Sequence, residues 1–189
     1  MKLVSWNCRG LGNLAKIEAV KDLLKSEPAD ILLLQETKIA GQALLEISKS
    51  KWKKSSAIAV SARGSSGGLA TLWTEDKYQL IKTHETLHWI FTEIIHLASK
   101  LAISLVNLYV PVNYSEKRDC WNSLAAFLEQ ETPNNIILAG DLNIVLKAKE
   151  KRGGTNSKDP MVAVVEELAQ QWDLQDFNPI QGLFTWSNN

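Results

Sequence analysis

Two short polar segments each follow an apolar run, and this arrangement constrains the fold most strongly. Gln-Glu-Thr at residues 35–37 follows Ile-Leu-Leu-Leu at residues 31–34. Gly-Asp-Leu-Asn at residues 140–143 follows Ile-Ile-Leu-Ala at residues 136–139. Apolar runs of this length, bounded by polar residues, are typical of buried strands. Because α/β folds place functional groups at the ends of such strands, both segments are candidate site positions.

Two further apolar runs extend the pattern. Residues 3–6 lead directly to Asn7, and residues 105–110 contain Tyr109 just before Pro111. The four predicted strand ends carry side chains with oxygen atoms, namely Asn7, Glu36, Tyr109, Asp141 and Asn143. Carboxylates and amides without a cysteine or histidine cluster suit a hard cation such as Mg²⁺, and Glu36 is the best candidate ligand.

Strand-like and helix-like segments alternate along the chain, which indicates an α/β architecture in one domain, residues 1–189. Helices are predicted over residues 14–26, 43–51, 115–131 and 161–172, the first capped by Asn13 and the third by Ser115. Besides the runs above, strands are predicted over residues 57–62, 69–73, 86–95 and 101–109.

Composition limits the location and partners of the chain. Lys plus Arg equals Asp plus Glu, 21 each, which argues weakly against a strongly basic nucleic-acid binder. The N-terminus lacks the pattern of a signal peptide, and no apolar run approaches the roughly 18 residues that span a bilayer. With only two cysteines, the chain is expected in a reducing, intracellular compartment without a membrane.

Two local features have a reactive and an ordinary interpretation. Cys8 beside Asn7 would be a nucleophile only with an activating base, and no histidine lies in a matching motif, which favours a packed thiol. The Gly-Gly pair at residues 67–68 is interpreted as a turn, because a phosphate-binding loop requires a following Lys-Ser or Lys-Thr and a helix.

Seven segments in order carry a resemblance. They are Ser-Trp-Asn-Cys-Arg-Gly at residues 5–10, Gln-Glu-Thr-Lys at 35–38, Ser-Gly-Gly-Leu-Ala at 66–70, Asn-Leu-Tyr-Val-Pro at 107–111, Gly-Asp-Leu-Asn at 140–143, Glu-Lys-Arg-Gly-Gly at 150–154 and Phe-Thr-Trp-Ser-Asn at 184–188. The chain resembles the endonuclease/exonuclease/phosphatase superfamily, which includes abasic-site endonucleases, pancreatic-type DNases and LINE retrotransposon endonucleases. The third, sixth and seventh segments are similar to plant LINE-like elements.

This resemblance implies a four-layer α/β sandwich with two facing mixed sheets, and Mg²⁺-dependent phosphodiester hydrolysis on DNA. It implies that Asn7 helps Glu36 to hold the metal and that Asp141 orients or deprotonates the attacking water. Asn143 would hold Asp141 or a phosphate oxygen, and Tyr109 would donate its hydroxyl to the phosphate. Taken singly, each residue is also consistent with a solvated strand end, a turn or packing.

The resemblance also points to a nucleic-acid contact near the C-terminus. Thr185 and Trp186 correspond to a family segment near the nucleic-acid groove, where a tryptophan would stack on a base or wedge between bases. The alternative is that Trp186 anchors an ordinary strand.

One departure from the family pattern is as informative as the matches. The family continues with an Arg-x-Asp segment and a Ser-Asp-His motif, whereas this chain stops soon after Trp186. His84, His88 and His96 match no family catalytic position and are interpreted as strand or surface residues. We therefore expect a fold that is incomplete at its C-terminus, strongly reduced activity, and an exposed sheet edge that favours aggregation or oligomers.

Three functions follow from these observations. The first is an impaired DNA-nicking hydrolase of the retroelement type, with a nuclear location if it acts on chromosomal DNA. The second is a non-catalytic remnant that binds metal or nucleic acid. The third is a phosphatase of the same superfamily that acts on a small phosphate ester.

Overall fold

A computed structural model describes residues 1–52, 54–64, 66–147, 150, 153 and 159–177, which form eight strands and four helices; five strands follow one another between the second and third helices. The strands are β1 (Leu3–Asn7), β2 (Ile31–Gln35), β3 (Ser55–Val60), β4 (Leu69–Thr74), β5 (Tyr78–Glu85), β6 (Trp89–His96), β7 (Ala102–Tyr109) and β8 (Ile136–Asp141). The helices are α1 (Leu14–Ser26), α2 (Gly41–Lys51), α3 (Tyr114–Glu131) and α4 (Val162–Gln171).

The strands form two sheets of four strands each. The first sheet has the order β1-β2-β4-β3 and the second has the order β5-β6-β7-β8. In each sheet one pair is parallel, β1 with β2 and β7 with β8, while the other pairs are antiparallel. The two sheets face each other, with β2 over β7 and β8, and β4 over β6 and β7. The predicted pair of facing mixed sheets is therefore confirmed.

The helices cover the outer faces of the two sheets and complete four layers. On the first sheet, Val20 of α1 and Leu44 of α2 pack with Leu32 and Leu34 of β2. The α3 and α4 helices cover the second sheet in the same way, through a cluster that includes Trp121, Leu124, Val165, Val106 and Leu108.

A third cluster fills the space between the sheets. Ile31 and Leu33 of β2 meet Ile94, Ile103 and Leu105 of the second sheet there. Strand β2 is thus buried on both faces, which explains why its sequence is continuously apolar instead of alternating.

Two buried amides join the sheets at the end of this inner layer. Gln35 and Asn107 are 1% and 0% exposed, and Nε2 of Gln35 donates to Oδ1 of Asn107 at 2.7 Å. The Asn107 amide nitrogen in turn donates to the carbonyl of Ala70 at 2.8 Å, which ties β7 to β4 as well as to β2. Glu36 directly follows Gln35, and Tyr109 lies two residues after Asn107. These bonds therefore hold the ends of β2 and β7 level with each other.

The structure corrects two predicted elements. The strand predicted over residues 86–95 begins at Trp89, after a turn in which Thr86 N–H donates to Trp89 O at 2.9 Å, and β5 precedes it unpredicted. All residues of β5 except Tyr78 are exposed, so no buried stripe marks this edge strand in the sequence. The N-cap of α3 is Asn113, whose Oδ1 accepts from the backbone N–H groups of Ser115 and Glu116; the predicted cap at Ser115 is wrong.

The other predicted helices are present with shifts of one or two residues at their ends. Asn13 caps α1 as predicted, accepting from Lys16 N–H at 2.9 Å. None of the helices in the described part of the chain is both long and apolar enough to cross a membrane.

We expect Gly140→Ala to be severely destabilising. Gly140 lies in β8 at φ +144°, and a Cβ atom there would sit 2.0 Å from the carbonyl oxygen of Leu108 on β7. Backbone cannot move away without breaking the β7–β8 ladder, so the loss in unfolding free energy should exceed about 3 kcal/mol. Urea denaturation measures this loss.

Gly12→Ala is the matched control, because a Cβ at Gly12 meets no heavy atom within 4 Å. It should change the unfolding free energy by no more than about 0.5 kcal/mol. Equal stability of the two variants would contradict the close approach of β8 to β7.

Candidate active site

Four strand ends from both sheets converge at one edge of the sandwich. Asn7 ends β1 beside Gln35 of the parallel strand β2, and Tyr109 ends β7 beside Asp141 of the parallel strand β8. Glu36 follows β2 directly. The polar side chains predicted from the four apolar runs therefore lie at the same edge.

The Asn7 amide joins two carboxylates that belong to different sheets. Its Nδ2 donates to Oε1 of Glu36 at 2.8 Å and to Oδ2 of Asp141 at 2.7 Å. Its Oδ1 accepts from the backbone N–H of Arg9 at 3.1 Å, which fixes the orientation of the amide. Residues 134 positions apart in sequence are thereby brought into direct contact.

Glu36 adopts a backbone conformation that only glycine adopts freely. Its φ is +51°, in the left-handed region, which costs free energy for a side chain of this type. Neighbouring loops hold it there, since Glu36 O accepts from Gly10 N–H at 2.6 Å and Thr37 N–H donates to Gly68 O at 3.1 Å. The predicted Gly-Gly turn thus supports the Glu36 loop, and a Cβ at Gly68 would lie 2.3 Å from Oγ1 of Thr37.

The carboxylate of Glu36 is held in its ionised form. Burial raises its pKa, but hydrogen bonds from Asn7, Lys38 and Tyr109 outweigh burial, and the net shift of the pKa is downward. The Lys38 ammonium lies 3.0 Å from Oε2 of Glu36. Glu36 therefore presents a full negative charge next to a cationic side chain at neutral pH.

Tyr109 is a proton donor across the whole physiological range. Burial, together with the nearby negative charges of Glu36 and Asp141, raises the pKa of its hydroxyl to about 12. The raised pKa keeps the Tyr109 hydroxyl protonated beside these two carboxylates.

Asn143 holds Asp141 through its backbone. Its N–H donates to Oδ1 of Asp141 at 3.1 Å, while its side-chain Nδ2 donates to the carbonyl of Val110 at 2.7 Å. Asn143 lies at φ +45°, another left-handed position, which turns its N–H back towards the carboxylate. Both oxygens of Asp141 therefore accept hydrogen bonds, one from Asn7 and one from Asn143.

The sequence pattern of the endonuclease/exonuclease/phosphatase family matches residues 4–187. The chain belongs to the endonuclease/exonuclease/phosphatase family. A comparison with curated protein sequences gave no match.

Solved structures of similar fold include three nucleic-acid enzymes. The AP endonuclease LMAP of Leishmania major has a TM-score of 0.71 at 18% identity, covering 90% of this chain and 66% of that one. The APE2 catalytic domain of Xenopus laevis has a TM-score of 0.64 at 19% identity, covering 91% and 66%. The 3' phosphatase NExo from Neisseria, bound to a product DNA hairpin, has a TM-score of 0.60 at 20% identity, covering 79% and 60%. The present chain thus spans less than two thirds of the length of each.

In this protein, the oxygen atoms at the strand ends fit a hard divalent cation. The described residues contain no group of three or more His, Cys, Asp or Glu side chains arranged around a common metal position. Two neighbouring carboxylates are instead the kind of sparse oxygen set with which Mg²⁺ is bound, because this ion keeps several water ligands. Glu36 and Asn7 are the residues that would hold it, Glu36 by its carboxylate and Asn7 through its Nδ2 bond to Glu36, since Asn7 Oδ1 accepts from Arg9 N–H.

Several predicted features lie away from this centre or outside the described residues. Thr185 and Trp186 fall outside the described residues, as does most of the segment 150–154. His84 stacks on Trp89 with ring centroids 5.1 Å apart, and the ring of His96 contacts Ser99, so both are ordinary structural residues.

Two residues near the centre have structural contacts. The backbone carbonyl of His88 accepts from Tyr109 N–H at 2.8 Å. Cys8 is buried, its thiol donates to Gln35 O at 3.1 Å, and burial raises its pKa to about 11. The interpretation of Cys8 as a packed thiol instead of a nucleophile is consistent with this environment.

Sequence analysis assigned no role to four side chains that build the site. Gln35 and Asn107 lie within the recognised segments, but their contact crosses between sheets. Lys38 follows Glu36 by two residues, a spacing that predicts nothing in a loop. Lys117 is buried on α3, where a lysine is normally expected to face solvent.

Glu36→Gln should abolish Mg²⁺ binding, because the substitution removes the ionised carboxylate while keeping the side-chain shape. Isothermal titration calorimetry measures the binding. Glu93→Gln is the matched control, since Glu93 is similarly covered and also faces a lysine, Lys82, at 3.6 Å, but lies away from the strand ends. Equal Mg²⁺ affinity of the Glu36 variant and the control would contradict the assignment of Glu36 as the ligand.

Proposed function

We propose that this chain is a Mg²⁺-dependent phosphodiester hydrolase that nicks DNA, of the retroelement endonuclease type. The observation that carries the proposal is the junction in which the Asn7 amide connects the carboxylates of Glu36 and Asp141 across the two sheets. Phosphodiester hydrolysis requires a cation, an oriented water and a donor to the phosphate, and these three needs correspond to groups at this junction.

Glu36 and Asn7 are the cation-binding pair in this proposal. When bound, Mg²⁺ would neutralise charge on the phosphate. The depressed pKa of Glu36 suits this role, because the carboxylate needs no deprotonation before binding. Lys38 partly balances the charge of Glu36, with its ammonium 3.0 Å from Oε2.

Asp141 is the group proposed to orient the attacking water and accept its proton. Hydrogen bonds to both of its oxygens fix the orientation of the carboxylate. A fixed base lowers the entropic cost of bringing water and phosphate into line, and such positioning contributes strongly to rate. Asn143 is the residue that holds this orientation.

Tyr109 is proposed to donate its hydroxyl to a phosphate oxygen. With a pKa of about 12 the hydroxyl keeps its proton at neutral pH. Tyr109 ends β7 beside Asp141 and close to the charge of Glu36, so its hydroxyl is placed where a phosphate bound at the junction would accept from it.

DNA is the proposed substrate because of the sequence resemblance and the local charges. Two cationic side chains lie on the Asn7–Glu36 side of the acidic junction: Lys38 contacts Glu36, and Lys16 Nζ donates to the carbonyl of Arg9 at 2.6 Å. These groups suit a phosphate backbone although the chain as a whole has no net charge. Thr185 and Trp186 remain predicted contacts to the nucleic acid, and the plant LINE-like segments support the retroelement type.

The test is a nicking assay on supercoiled plasmid DNA with Mg²⁺. We expect Mg²⁺-dependent relaxation that chelation stops and that Asp141→Asn reduces by at least ~10²-fold, the usual loss for an acid–base group. Asp119→Asn is the control, because Asp119 is an exposed residue on α3. Nicking should be unchanged in this variant.

Two other results would contradict the proposal and identify an alternative. Retention of DNA in a mobility-shift assay without any nicking would indicate a binding module. Release of phosphate from a small ester, lost in Asp141→Asn, without an effect on DNA would indicate a phosphatase.

A further inference from the structure

Lys117 is a lysine that the fold buries completely beside the candidate site. It belongs to the first turn of α3 and is 4% exposed, whereas lysines such as Lys25 and Lys77 have side chains 64% and 51% exposed. Removing an ammonium group from water costs several kcal/mol unless it is paired and hydrogen-bonded. A lysine in such a position therefore needs partners that offset the free-energy cost of its burial.

The ammonium of Lys117 has two partners on different segments. It donates to the backbone carbonyl of Asn143 at 2.7 Å and forms an ion pair with Oδ2 of Asp159. The other oxygen of Asp159 accepts from the backbone N–H of Met161 at 2.9 Å, just before α4. Burial raises the pKa of Asp159, but the bonds from Lys117 and Met161 N–H outweigh it and lower the pKa overall.

The bond to Asn143 connects Lys117 to the acidic junction. Asn143 lies at φ +45°, where a residue with a side chain stays only if surrounding contacts hold it. Three contacts do so: its carbonyl accepts from Lys117, its amide side chain donates to Val110 O, and its N–H donates to Asp141. Two of the three involve a charged group, the Lys117 ammonium and the Asp141 carboxylate, and charge-assisted bonds are the stronger class.

We propose that Lys117 is a positioning residue, which orients the Asp141 carboxylate by holding the left-handed turn at Asn143. The role of Asp141 in this statement rests on the proposed function. The effect of Lys117 on the Asn143 turn does not rest on the proposed function. Without the ammonium, the Asn143 carbonyl loses its partner, the turn relaxes, and the N–H of Asn143 leaves Oδ1 of Asp141. Asp159 serves to balance the charge of Lys117, and its carboxylate accepts hydrogen bonds from Lys117 and from Met161 N–H.

Because Lys117 contacts both Asp159 and Asn143, variants can separate its effect on the stability of the fold from its effect on the position of Asn143. Lys117→Met keeps the length of the side chain but leaves Asp159 without its cation, so it should destabilise the fold as well as release Asn143. The double variant Lys117→Met with Asp159→Asn has no unpaired charge, and the asparagine retains an oxygen for the N–H of Met161. It should regain most of the lost melting temperature.

The experiment compares these variants by thermal melting, by the ¹H–¹⁵N resonance of the Asn143 backbone amide, and by nicking kinetics. In the double variant we expect near-native melting, an upfield shift and faster hydrogen exchange of the Asn143 amide, and kcat lower by about tenfold or more with KM nearly unchanged. Lys77→Met removes an exposed lysine of another aspartate pair and should leave the amide and kcat unaltered.

Two outcomes would overturn the proposal. A double variant that melts normally and shows the native Asn143 amide resonance would mean that Lys117 only stabilises the fold. A shifted amide with unchanged kcat, in a chain that nicks DNA, would mean that the turn does not position Asp141 for catalysis. If the chain does not nick DNA at all, the proposed function fails, while the amide resonance still decides whether Lys117 holds Asn143.

Discussion

A pair of buried amides joins the two sheets directly beneath the candidate site. Gln35 and Asn107 are shielded from water, so their bonds to each other and to backbone carbonyls have no solvent substitute. A buried hydrogen bond between side chains is directional, so it favours one register of the two sheets in addition to the close packing of the apolar layer. This contact therefore helps to set the height at which β2 and β7 end, where Glu36 and Tyr109 lie.

Above the amide pair, the strand ends are held in conformations that isolated peptides avoid. Glu36, Lys38 and Asn143 all have positive φ, and each belongs to a loop tied by backbone or side-chain bonds to a neighbouring element. A strained backbone conformation persists only where several surrounding contacts hold it in place. The rigid four-layer body thus supplies the constraint, and the loops at its edge carry the chemistry.

The sequence predicts the outline of this arrangement because burial on two faces leaves a plain signal. Strand β2 is apolar at each of its first four positions, so the polar residues that follow it stand out. Strand β5, exposed along almost its whole length, leaves no such signal and was not predicted. The local rules thus work where packing is strong and fail at the solvent-facing edge.

The contacts that assemble the site could not be predicted from local patterns. The Asn7–Asp141 bond joins residues 134 positions apart, and the Gln35–Asn107 bond joins residues 72 apart. The burial of Lys117 was missed for a related reason, because its partners, Asn143 and Asp159, come from segments that meet α3 only in the folded chain. Residue type and spacing identify candidates, whereas the pairing of the sheets decides which of them meet.

We propose that a cation held by Glu36 and Asn7 of the first sheet lies beside Asp141 of the second sheet, at one edge of the sandwich. Paramagnetic broadening of ¹H–¹⁵N resonances by substoichiometric Mn²⁺, reversed by excess Mg²⁺, tests it most directly. We predict broadening centred on the amides of Asn7, Glu36 and Asp141 together, with the amides of Tyr78 and Gln79, at the opposite end of the second sheet, unaffected. Broadening centred elsewhere, or limited to the strand ends of one sheet, would contradict the claim.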